Sequence, residues 1–99
     1  MNNAKPSDCL LFIDDEMARF IIAWNRMDTE QGVEVLPEIN CRYSPKKLAA
    51  ILNLSAGQVS SLVGQAVAVG IILDGGIISP MAQNAVNALI ALRAAELKG

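Results

Sequence analysis

Apolar and polar positions follow two rhythms along this chain. From position 14 the spacing is helical: Met17, Phe20, Ile21 and Trp24 fall at i, i+3, i+4 and i+7, which marks one buried helical stripe. Ile13, Ala18 and Ile22 widen that surface. The pattern predicts a first helix over 14–30, its regular part running from about 14 to 28. Helical spacing returns after Ser44-Pro45. The serine can accept from the free N–H groups of the first turn, and proline is pre-set for the first helical position. Leu48, Ile51 and Leu52 then share a face until Asn53-Leu54-Ser55 interrupts it. Ser55 is a second capping residue and opens AGQVSSLVGQAVAV. In that helix Val59, Leu62, Val63, Ala66 and Val67 form the inward stripe, with Gln58, Ser61 and Gln65 roughly opposite. Gly70 suits its end, because glycine tolerates the left-handed conformation there.

The rhythm then changes. Ile71-Ile72-Leu73, Asp74-Gly75-Gly76 and Ile77-Ile78 read as a hairpin, since Asp-Gly between two short apolar runs favours a tight turn. Ser79-Pro80 repeats the cap-plus-proline signal and opens a last helix over 80–98. Met81, Ala85, Ala88 and Leu92 make one apolar row on it; Ala82, Val86, Leu89 and Ile90 make another. A helix this apolar around its circumference should be buried on more than one side. In so small a domain, one side must face another chain or stand as an aggregation-prone patch. Phe20 and Trp24 of the first helix, with Met81, Ala85, Ala88, Leu89 and Leu92 of the last, are therefore the candidate dimer interface. A lone tryptophan on such a stripe belongs to a core or subunit interface more readily than to a ligand-stacking site.

The stretches between are less regular. Residues 1–9 read as a flexible tail, 10–13 as an apolar lead-in, and 29–32 as a polar helix end. Val33-Glu34-Val35 alternates briefly before Pro37 breaks it. Residues 39–43 are expected to form a short strand beside the later hairpin.

Helix, tight turn, helix, small hairpin, helix is the winged helix-turn-helix order. The segment LAAILNLSAGQVSSLVGQAVAVGIILDGGIIS resembles the winged-helix domains of small bacterial and phage regulators. In those, a phrase like LA..L.LS...VS.LV..A...G.I spans the two helices and the first wing strand. Leu48, Ala49, Leu52, Leu54, Ser55, Val59, Ser60, Leu62, Val63, Gly70 and Ile72 match it. A fainter resemblance is to small proteins of Mu-like bacteriophages. The resemblance implies a mainly α fold with a small β-hairpin. It implies one winged-helix domain over 1–99, its helix-turn-helix and wing at 44–79. It also implies that the second helix of the pair enters the major groove of double-stranded DNA. Gln58, Ser60, Ser61 and Gln65 would then meet base edges, with Gly57 alongside. Glutamine can pair with adenine, and serine can bond several edges.

Composition sharpens this picture. Apolar residues make up 53% of the 99 positions but aromatics only 4%, so the core is aliphatic and alanine-rich. Each contact in such a core buries little area, which favours stability gained from a partner subunit. There is no histidine, and Cys9 and Cys41 stand far apart outside any CxxC pattern, so no zinc site is expected. The apolar run before the first acids spans only five residues, too short for a secretory signal. No run approaches the ~20 apolar residues that span a bilayer. A cytoplasmic chain with free thiols and no membrane segment is the expectation.

Charge is unevenly placed. Residues 1–39 carry three basic and eight acidic side chains; residues 40–79 carry Arg42, Lys46 and Lys47 against Asp74 alone. The helix-turn-helix half is mildly basic and the N-terminal part acidic. Asp14, Asp15 and Glu16 sit where acids cap a helix and offset its dipole, and no nucleophile or histidine accompanies them for catalysis. No phosphate-binding GxxxxGK[ST] loop is present, and Ser55, Ser60 and Ser61 have no base to activate them. No enzyme activity, metal or cofactor is expected.

The case for DNA is electrostatically thin. Arg42, Lys46 and Lys47 can contact phosphates, but the reading helix carries no Lys or Arg and the wing has an acid at its tip. Three phosphate contacts give a salt slope of only about −2.7 per subunit, and a dimer about twice that. Two readings stay open: a small dimeric DNA-binding regulator, and a winged-helix module for protein–protein assembly, for example in phage assembly, without direct DNA contact. In the second, the neutral face of Gln58, Ser61 and Gln65 meets a protein.

Overall fold

The computed structural model describes residues 13–27 and 32–98. The expected tail, most of the apolar lead-in and residues 28–30 of the expected first helix lie outside the described residues. Helix α1 spans Asp15–Arg26. It starts where it does because the Asp14 carboxylate accepts the Met17 N–H at 2.8 Å, satisfying one of the free donors of the first turn. Asp15 and Glu16 in the first turn and Arg26 in the last suit the helix dipole. Met27 leaves the helix in an extended conformation, so α1 ends at Arg26.

Strands β1 (Glu34–Leu36) and β2 (Cys41–Tyr43) pair antiparallel, with Glu34 opposite Tyr43, Val35 opposite Arg42 and Leu36 opposite Cys41. Pro37 does not end this region. It opens a 3-10 turn, Pro37–Ile39, which Asn40 closes in the left-handed conformation at φ 49°. The expected strand at 39–43 is thus shorter and pairs with the residues before it, not with the later hairpin. Gly32 lies so close to β2 that a Cβ there would meet the Tyr43 backbone nitrogen at 2.3 Å; only glycine fits.

Helix α2 (Pro45–Leu52) is capped by Ser44, whose Oγ accepts the Lys47 N–H. It stops at Asn53, which takes a left-handed φ of 56° while the Leu54 N–H donates back to the Ala49 carbonyl. Two residues later Ser55 opens helix α3 (Ala56–Ala68) with a full capping box: Ser55 Oγ accepts from the Gln58 N–H, and Gln58 Oε1 accepts from the Ser55 N–H. At the other end, the Ile71 N–H reaches the Ala66 carbonyl and the Gly70 N–H that of Val67, with Gly70 at φ 82°. This is a Schellman ending.

The hairpin after α3 is smaller than its sequence suggests. It contracts to a single bridge, Ile72 opposite Ile78, around the 3-10 turn Asp74–Gly76. Ile71 gives its N–H to the end of α3 and accepts only the Ser79 N–H, at 2.8 Å, while Ser79 already caps helix α4 (Pro80–Lys98), its Oγ accepting the Ala82 N–H at 3.1 Å. Little chain is left to pair.

One core joins these elements. Met17, Phe20, Ile21 and Trp24 of α1 meet Leu48 of α2, Val59, Val63 and Ala66 of α3, Ile71 and Ile72, and Ala82 and Val86 of α4. Trp24 stacks on Tyr43 of β2 at 5.8 Å between ring centres and tilts against Phe20 at the same separation. Its indole N–H donates to the Gly76 carbonyl at 2.8 Å, tying α1 to the turn of the small hairpin. The described chain is therefore mainly α, four helices with a small two-stranded antiparallel hairpin. This layout is compatible with a winged helix.

Candidate nucleic-acid interface

Helix α3 buries Val59, Leu62, Val63 and Ala66. Helical spacing then turns Gly57, Ser61, Gly64 and Ala68 straight outward, with Ser60 at one side and Gln58 and Gln65 at the other. All seven are exposed. The sequence-derived reading residues Gln58, Ser60, Ser61 and Gln65 thus share the open side of one helix. Their surroundings are less uniform than that side implies. Gln58, Ser61, Leu62 and Gln65 line a shallow groove of about 160 Å³ whose further wall is Glu16 of α1. Ser60 stands outside it. A carboxylate accepts hydrogen bonds and repels phosphate, so this flank suits a donor, such as the amino group of cytosine, better than a phosphate.

Gln58 is also partly committed. Bidentate pairing with adenine uses a glutamine's carbonyl oxygen and its amide nitrogen together. Gln58 Oε1 already accepts the Ser55 N–H at 2.9 Å. Gln65 has no such bond among the described contacts and is the freer amide.

The cations lie elsewhere. Arg42 is exposed on β2, and Lys46 and Lys47 are exposed in the first turn of α2. None of the three lines the α3 groove. A fourth cation, Arg19, which the sequence pattern had not singled out, lines a neighbouring groove that shares Glu16 with it. Arg19 lines two further grooves, one with Asp15, Glu16, Leu52 and Leu54 and one with Ile22, Ala23, Ile51 and Leu52. Sharing Glu16, Arg19 and Leu52, the three depressions form a trough between α1 and the α2–α3 unit. The signal for Arg19 was its place three residues after Glu16, on the side of α1 away from the apolar stripe.

The candidate dimer residues divide. Phe20 and Trp24 are 0% and 2% exposed within a single chain, so they belong to the core and are not open to a second subunit. The α1 stripe is spent within the chain's own core, against α2, α4 and Tyr43 of β2. The α4 residues differ: Met81, Ala88 and Leu92 are exposed, and Ala85 and Leu89 half-buried. Ala85, Ala88, Leu89 and Leu92 line an apolar groove of about 310 Å³ together with Ile13.

No protein-family model, curated protein or solved structure matches the chain. Its own geometry is the ground for any functional reading. Among the described residues no three His, Cys, Asp or Glu side chains gather as a metal site, and no helix is long and apolar enough to cross a membrane. Cys41 is buried and unpaired, its Sγ directed at the Arg42 carbonyl, and burial raises its pKa above the ordinary 9.0.

Proposed function

We propose that this chain is a small winged-helix protein that binds double-stranded DNA as a homodimer, in the manner of a bacterial or phage regulator. The observation that carries the reading is the α2–turn–α3 unit. Its apolar side chains turn into the core, while Ser60, Ser61 and Gln65 stand exposed on α3 and Lys46 and Lys47 at the start of α2. In this reading α3 lies in the major groove, with Gln65 and the serines at base edges and the lysines on phosphates. Gln58 holds the start of α3 and contributes its amide N–H groups.

The test is fluorescence anisotropy of the protein with fragmented genomic DNA from its source at about 50 and 200 mM salt. Binding should weaken with salt, and Lys46→Glu with Lys47→Glu should abolish it while the circular dichroism spectrum stays the same. A specific observation favours a second reading, a winged helix used for protein assembly. The α3 groove is walled by Glu16 and carries no cation. In that case the double variant retains its protein partner in a nuclease-treated pull-down, and DNA is not bound at either salt.

A further inference from the structure

We infer that the exposed row on α4 is the homodimer contact, and that two copies pair there antiparallel. The axis passes between Ala85 and Ala88. The inference rests on the homodimer part of the reading above and is independent of DNA contact.

Three observations converge on this face. Met81, Ala85, Ala88 and Leu92 recur at steps of four, three and four, the spacing of a two-helix seam. The face turned into the chain's own core is a different one, that of Ala82 and Val86, both 0% exposed. Met81 and Leu92 remain 37% and 57% exposed, and the groove of Ile13, Ala85, Ala88, Leu89 and Leu92 opens beside them. Finally, every residue from 90 to 96 is exposed. Ile90 and Leu92 in the outer half of α4 therefore have little cover among the described residues, although Arg93 pairs with Asp15 of α1, and sparsely packed helical segments are marginal in water.

A second copy is the occupant because the row is its own complement. A two-fold axis needs the same patch on both subunits to fit itself. Turned end for end about that axis, the row sets Met81 against Leu92 of the partner subunit and Ala85 against Ala88 of the partner subunit. Large side chains meet large ones at the ends. The alanines at the centre let the helix axes close to about 8 Å. Antiparallel pairing also brings opposite helix-dipole ends together, where a parallel pair aligns like ends. A 19-residue helix is about 28 Å long, so the strip lies at the small end of stable interfaces, about 1,200 Å² in total. The dimer should accordingly dissociate on dilution.

Light scattering over about 1 μM to 1 mM protein tests this. The wild-type chain should pass from monomer to dimer. Ala88→Glu should raise the dissociation constant at least about tenfold with an unchanged circular dichroism spectrum. In a Cys9→Ser background, oxidising a mixture of Ala85→Cys and Ala88→Cys chains should give a cross-linked dimer, while each variant alone gives little. A chain that stays monomeric throughout overturns the inference and leaves the groove to another occupant. So does a dimer that survives Ala88→Glu, and strong cross-linking of either single variant alone rejects the antiparallel register. Loss of DNA binding with the dimer intact counts against the DNA reading only.

Discussion

The indole of Trp24 holds three parts of the chain at once: Phe20 within α1, Tyr43 on β2 and the Gly76 carbonyl in the hairpin turn. Trp24→Phe keeps an aromatic ring but leaves that carbonyl without its buried donor. A loss of about 1–3 kcal/mol is expected, read as a lower urea midpoint by circular dichroism; an unchanged midpoint means water replaces the indole. Cys41 gives a different prediction. Burial holds its thiol protonated to higher pH than in the unfolded chain. Its contribution is therefore fully present below about pH 9 and is lost as pH rises through the raised value. Unfolding midpoints should fall across that alkaline range, and Cys41→Ala should flatten the fall. At this scale the sequence was half legible. Spacing put Phe20 and Trp24 on an apolar stripe, but core and subunit interface produce the same stripe. What separated them is contact with residues far along the chain, such as Gly76, 52 positions away, which no local pattern encodes.

Elements were most legible where their ends carry chemistry. Ser44, Ser55 and Ser79 each cap a helix, as their places before the apolar periods predict, and Gly70 terminates α3. These are local hydrogen bonds within a few residues, so sequence suffices to find them. Strand pairing was not legible, because the choice between β1 and the later hairpin as the partner of β2 depends on three-dimensional placement. The capping box makes Gln58 a test of role. Gln58→Ala should destabilise the chain by about 1 kcal/mol, seen in urea unfolding. Gln65→Ala should leave stability unchanged and act on binding alone. If both variants unfold like the wild type, the box contributes nothing and Gln58 is as free to read as Gln65.

For the whole molecule, charge and shape decide what can be touched. The described chain measures 42 × 39 × 21 Å, a flat body. The acidic first part and the mildly basic middle were visible in the sequence. The crossing of α1 that brings Glu16 beside Gln58, Ser61 and Gln65 was not, since it is set by how two apolar stripes pack. If Lys46 and Lys47 both sit on phosphates, removing them should flatten the slope of log K against log salt by about 1.8 per subunit. Titrating Lys46→Ala with Lys47→Ala against salt reads that directly, and an unaltered slope places the phosphate contacts elsewhere.

The bond from Trp24 to Gly76 also has a mechanical meaning. A hairpin of one bridge, left to itself, would flap like a loose tab. Here its turn is tied to α1 by the indole N–H, so opening the hairpin away from the helix must break a buried hydrogen bond.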